Sequence, residues 1–324
     1  MFAPPVDAHQ HFWHYDAARH TWMGERHAPI KRDFLPADLA PLLRAAGVAG
    51  GCVAVQASQT PEETRFLLAL AAAPGSIVRG VVGWCDLRAE PAALRAELAA
   101  LCAAHGRGGG GSGRLVGMRH VVHDEPEDDF CVQPAFARGV AALGEFGLTY
   151  DLLLFPRHLA PALALARATP GVTFVLDHCA NPDVAATAVA AARGAAAGGG
   201  SGAGAAPLEP EAWERDLRAL AALPNVFVKA SGLVTNAKWH AFADADFDPF
   251  LDVVFDAFGR DRVMAGTDWP VCTLSADYAR TWGVLPGYMA RRGFPQADVD
   301  AVLGGNCARI YKLAPLGDGG AAPT

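Results

Sequence analysis

Two histidines stand two residues apart near the start of the chain, in "VDAHQHFW" (residues 6–13). On an extended strand, Asp7, His9 and His11 alternate with Val6, Ala8 and Gln10, so one face carries three polar side chains. Two imidazoles on one strand face suit a shared metal ion or a shared substrate. Asp268, in "MAGTDWP", ends an apolar run and supplies a carboxylate able to take a proton from water or coordinate a metal. His178 ends "FVLDHCANP" in the same way. Arg119, in "GMRHVV", suits an anionic or hydroxyl-rich ligand. His120 falls on the opposite strand face from Arg119. His105, His158 and His240 read as surface residues. Cys85, Cys179 and Cys272 each follow a strand-like run, but without redox spacing they read as small buried thiols rather than nucleophiles.

The elements that position these groups repeat. Short apolar, β-rich runs occur at "PPVDAHQ", "GCVAVQAS", "IVRGVVGW", "LVGMRHVV", "LTYDLLL", "VTFVLDH", "NVFVKAS" and "RVMAGTD". Between them lie alanine- and leucine-rich stretches of helical periodicity, such as "PEETRFLLALAA" from Pro61 and "PAALRAELAALCAA" from Pro91. Proline is tolerated in a first helical turn. Eight strands alternating with helices predict parallel βα units closed into a (β/α)8 TIM barrel. No G-x-G-x-x-G follows the first strand to favour an open doubly wound sheet. In such a barrel, sites collect at the C-terminal strand ends. Those ends carry His9 and His11, Gln56, Trp84, Arg119, Tyr150 with Asp151, Asp177 with His178, Lys229 with Ser231, and Asp268 with Trp269.

The rest of the chain bounds the function class. The 324 residues are 52% hydrophobic, enough for a large core, and carry a net charge of −7, which argues against nucleic acid or an anionic membrane as partner. No transmembrane run and no signal peptide are evident, and seven cysteines without a C-x-x-C pair fit free thiols in the cytoplasm. The expected organisation is one barrel over residues 1–313, with flexible glycine-rich insertions near 106–113 and 193–207 and a disordered tail at 314–324.

Taken together, "VDAHQHFW", "GMRHVVHDEPEDDF", "YDLLL", "FVLDHCANPD", "VKASGLVTNAKW", "GTDWPVC" and "GGNCARIYKL" resemble the sugar-lactone hydrolase branch of the amidohydrolase superfamily, the group of L-fuconolactonase and L-rhamnonolactonase. The likeness spans residues 5 to about 313. It implies a (β/α)8 barrel, hydrolysis of a small sugar lactone to the hydroxy acid, and a catalytic core of His9, His11, His178 and Asp268. It leaves the metal open: some members work without one, others hold zinc at the His-x-His strand. If a metal is bound here, the same four residues are its ligands. The fifth strand offers Tyr150 and Asp151 where metal-dependent relatives have histidine, against a binuclear site. The segment after the sixth strand also departs, with Ala180 and Asn181 where Gly and Lys are expected.

On this reading Asp268 is the general base, and His9, His11 and His178 polarise the carbonyl directly or through one Zn²⁺. Arg119, Tyr150, Trp84, Gln56, Trp269 and Trp239 are the expected substrate contacts. A homo-oligomer is compatible with the sequence. The rival readings are a metal-dependent decarboxylase of the same superfamily and a non-catalytic sugar-binding barrel.

Overall fold

The computed structural model describes residues 4–106, 114–187 and 210–315. The glycine-rich segments at 107–113 and 193–207, and the tail from 316, lie outside the described residues. Eight parallel strands form one sheet in chain order: β1 (Asp7–Gln10), β2 (Cys52–Val55), β3 (Val78–Gly83), β4 (Leu115–Val121), β5 (Thr149–Leu153), β6 (Thr173–Leu176), β7 (Val226–Ala230) and β8 (Val263–Ala265). Backbone bonds just past the last strand close the ring onto β1. Asp268 N donates to His9 O at 2.8 Å, and His11 N donates to Trp269 O at 2.6 Å. The (β/α)8 barrel expected from the alternating runs is therefore the fold.

Helices α1 (Pro36–Ala45), α2 (Pro61–Ala72), α3 (Pro91–His105), α4 (Pro134–Glu145), α5 (Leu159–Ala168), α6 (Pro210–Ala221), α7 (Asp248–Phe258) and α8 (Tyr278–Arg291) follow the successive strands. Their starts are written locally. Proline opens α1, α2, α3 and α4, where the missing N–H costs nothing. Thr60 caps α2 by accepting from Glu63 N at 3.2 Å, and Asp277 caps α8 by accepting from Arg280 N at 2.7 Å.

Two apolar layers result. Phe136, Tyr150, Phe174, Leu176, Val228 and their neighbours fill the space between sheet and helices. The floor of the barrel is a separate cluster of Val6, Ala8, Val53, Val55, Val82, Val116, Val175 and Met264, capped by Cys307, Ile310, Tyr311 and Leu313 of the C-terminal segment. Above that floor the inward positions are polar.

Candidate active site

β1 does not keep strict alternation. Asp7 pairs with Cys52 and Gln10 with Ala54, so three steps on β1 face two on β2. This bulge turns Asp7 out of the barrel. Its carboxylate accepts from Thr267 N (3.0 Å), Thr267 Oγ1 (2.6 Å) and Tyr278 OH of α8 (3.1 Å). Ala8 joins the barrel floor, while His9 and His11 both reach the centre. The expectation of Asp7, His9 and His11 on one face is thus corrected: extra backbone at the bulge breaks the period of two.

Four groups meet at the centre. His11 Nε2 lies 3.1 Å from Asp268 Oδ1 and 3.3 Å from His9 Nε2. The Nε2 atoms of His9 and His178 stand 3.8 and 3.9 Å from the same carboxylate oxygen. All four side chains are at most 8% exposed. His11 Nδ1 lies 2.8 Å from Val55 O, which can only accept, so Nδ1 carries the proton and Nε2 is turned toward Asp268. His178 Nδ1 is held by Ser231 Oγ at 2.8 Å. Burial, opposed by Asp268 and Asp177, holds the His178 imidazole below the ordinary histidine value. Burial also dominates at His9, helped by Lys229 and His178 and opposed by Asp177, and holds it well below that value.

Beneath this cluster lies a buried ionic network. Asp177 accepts from His9 Nδ1 at 3.2 Å, Lys229 Nζ at 2.9 Å and Arg119 Nη1 at 3.0 Å. Lys229 Nζ also donates to Asp151 Oδ2 at 2.6 Å, and Arg119 Nη2 to the carbonyl of Gln56. Burial alone would push the Asp177 carboxyl up, but Lys229, His9 and Arg119 hold it well below the usual range. Burial would likewise lower Lys229, but Asp151 and Asp177 keep it above its ordinary value. Two cations thus offset two carboxylates inside the barrel, the condition on which buried charge is tolerated.

The backbone at the rim is unusual. His178, Cys179, Ala180 and Asn181 are all left-handed, with φ between 50° and 63°, and so is Asp268 at 63°. Each such non-glycine residue costs roughly 1–2 kcal/mol. The turn is tied down by Trp213 Nε1 donating to Cys179 O (2.8 Å) and Asn181 Nδ2 donating to Leu154 O (3.0 Å). Asn181 Oδ1 accepts from Asn236 Nδ2 at 3.2 Å. A Cβ on Gly232 would meet the His178 ring at 2.7 Å, so glycine there makes room for that histidine.

The structure separates the expected substrate contacts. Arg119 lies in the central network. Trp84 and Trp239 are half-buried beyond the strand ends, Trp84 Nε1 donating to His120 Nδ1 (3.3 Å) and Trp239 Nε1 to Thr235 O (2.9 Å). Tyr150 is corrected. Its ring sits against Phe136 and Phe174 between sheet and helices, because Asp151 takes the inward position on β5. Trp269 packs on Phe12 and Phe34. Buried Gln56 donates from Nε2 to Arg119 O at 3.3 Å, so it braces the arginine. His120 faces away from Arg119 as expected, stacked on Phe130 and bonded to Glu125 Oε1 at 2.6 Å. His158, expected at the surface, is fully buried. Burial pushes the Cys85 and Cys272 thiols well up and Cys179 to about 12, which leaves no thiolate nucleophile among them.

Asp177, Lys229 and Asp151 were visible only as polar strand ends, with no sign that they pair. Tyr311, whose hydroxyl donates to Asp151 Oδ2 at 2.6 Å, lies within "GGNCARIYKL", where nothing marks it for that role.

The amidohydrolase family model matches residues 6–313. The chain belongs to the amidohydrolase family. It is 38% identical to an L-fucono-1,5-lactonase of Burkholderia multivorans, over 98% of this chain and 99% of that one. A second L-fucono-1,5-lactonase, from Burkholderia ambifaria, is 35% identical over 97% of each chain. A solved Burkholderia multivorans amidohydrolase is similar throughout. Its HEPES-bound form has a TM-score of 0.83 at 36% identity, and its zinc-bound form 0.81 at 37%. Each covers 96% of this chain and all of that one.

Proposed function

We propose that this amidohydrolase opens a sugar-acid lactone to the free hydroxy acid, with L-fucono-1,5-lactone the first substrate to try. The observation that carries the reading is the convergence of His9, His11 and His178 on one oxygen of Asp268, in a chain 38% identical to an enzyme of that name.

Asp268 takes a proton from a water molecule as that water attacks the lactone carbonyl carbon. The growing charge on the carbonyl oxygen is met by His178, whose Nδ1 is engaged by Ser231 and whose Nε2 is left free. The fixed positive charge of Arg119 lies behind it. Collapse of the intermediate breaks the ring C–O bond, and Asp268 returns its proton to the departing ring oxygen. Water thus adds across one C–O bond, with no redox change. Half-buried Trp239 supplies an aromatic face at the rim for the apolar side of a sugar.

The residues also fit one divalent cation. His9, His11 and Asp268 offer ligand atoms within 4.8 Å of one another, and His9, Asp177 and His178 form a second such group. The His9–His11 spacing of 3.3 Å is that of two ligands about 2 Å from a common tetrahedral centre. His11 Nε2 and Asp268 Oδ1, both acceptors when the imidazole is neutral, need a cation or a proton between them. Zn²⁺ held by His9, His11, His178 and Asp268 would polarise the carbonyl. A cytoplasmic location is supported by seven cysteines that are all free. No helix among the described residues is long and apolar enough to cross a membrane.

The test is a pH-indicator assay on L-fucono-, L-rhamnono-, L-galactono- and D-arabinono-lactones, with and without chelation. Acid release on one or more of them is expected. Silence on all, with gas release from aromatic acids, would replace the reading with a decarboxylase.

A further inference from the structure

Lys229 is fully buried on β7, yet it has no part in the reaction just described. Its ammonium lies 2.6 Å from Asp151 Oδ2, 2.9 Å from Asp177 Oδ1 and 3.2 Å from His9 Nδ1. An ammonium has three donors and no acceptor: two go to the carboxylates, and the longer contact to His9 Nδ1 competes with Asp177 for that ring nitrogen. At Asp177 Oδ1 it arrives beside His9 Nδ1, also 3.2 Å away. Arg119 Nη1, another pure donor, faces His9 Nε2 at 3.3 Å. Asp177 Oδ1 can only accept, which places the ring proton on Nδ1; Arg119 Nη1 then donates to the Nε2 lone pair, beside the His11 Nε2 with which it shares the place for a cation or a proton.

We propose that Lys229 is a positioning residue: clamped between Asp151 and Asp177, it holds Asp177 as the acceptor for His9 Nδ1–H and so turns the His9 Nε2 lone pair to the reaction centre. The proposal rests on the lactonase reading for its kinetic part alone. The chain of contacts reaches further back. Asp151 is itself held by Thr149 Oγ1 (3.1 Å) and Tyr311 OH (2.6 Å). The C-terminal segment therefore anchors the far end of the relay that orients His9.

Two measurements test it. In histidine-labelled wild-type protein, long-range ¹H–¹⁵N correlation spectra should show His9 protonated on Nδ1 and bare on Nε2, with assignment from the His9→Asn variant. A proton on Nε2 instead would overturn the proposal, whatever the activity. In Lys229→Met, kcat should fall at least 100-fold with KM within threefold, and the His9 signals should become a mixture of tautomers. Lys229→Arg should recover part of the kcat. A folded Lys229→Met enzyme with kcat within threefold of wild type also overturns it. If Lys229→Met fails to fold, Tyr311→Phe, which removes one bond to Asp151, should cut kcat by threefold or more and shift the His9 signals toward the other tautomer; unchanged signals count against the relay. Absence of lactone turnover in the wild type would remove the lactonase reading and leave the tautomer result standing.

Discussion

Arg119 Nη1 stands 3.3 Å from His9 Nε2, so a fixed cation already faces the ring nitrogen that a metal ion would take. At about 4 Å and an effective dielectric near 20, two unit charges repel by roughly 4 kcal/mol. Even a third of that is a factor of ten in affinity. Arg119→Met should therefore bind Zn²⁺ at least tenfold more tightly than wild type, in a competition titration against a chromogenic chelator. Equal affinities would show that the guanidinium does not compete.

The proposed reaction gives Asp268 the base role. Asp268→Asn keeps the side chain's shape but cannot take the proton. It should lower kcat by about 10³-fold, the scale of a general base, while the circular dichroism spectrum and Tm stay near wild type. Turnover close to wild type in a folded variant would remove Asp268 from that role.

Gly232 and Gly75 both hold left-handed backbone, with φ of 67° and 69°. An added Cβ meets His178 at 2.7 Å in the first case and nothing within 4 Å in the second. Both alanine variants should lose about 1 kcal/mol from the backbone term. Only Gly232→Ala should also displace His178, with a further 1–3 kcal/mol of stability lost to overpacking and a fall in kcat. Parallel losses of Tm with unchanged kcat in both would sink the idea that Gly232 makes room for His178.

His123 stacks on Phe155 with ring centroids 4.6 Å apart. Burial, with Arg119 and His178 nearby, pushes its imidazole down to about 3. The unfolded chain then binds a proton near 6.5 that the folded protein refuses until about 3. The folded state consequently loses stability as pH falls from 6.5 toward 3, by about 2 kcal/mol at pH 5. His123→Phe keeps the stack and removes the titration. Its urea-derived stability should fall less steeply over that window, and identical pH slopes would contradict the assignment.

Tyr150 lies in the layer between sheet and helices, against Phe136 and Phe174. Tyr150→Phe should leave kcat/KM for the best lactone within twofold. A tenfold rise in KM would return this residue to the substrate site.

The chemistry-bearing residues were legible in the sequence because each ends a strand in a repeating pattern. Eight apolar runs between helical stretches determine a parallel barrel, and a parallel barrel gathers its strand ends on one face. That logic is enough to bring His9, His11, His178 and Asp268 together, although 257 residues separate His11 from Asp268. It cannot say which way a side chain points when the period of two is broken. The bulge in β1 sends Asp7 outward while bringing His9 and His11 in. On β5 the choice between Tyr150 and Asp151 depends on where the strand begins. Nor can a local pattern show that Lys229 pairs with Asp151, 78 residues away, or that Tyr311 closes the network from below. Buried charges find partners only after the strands are in register, so tertiary structure alone decided how His9 is held.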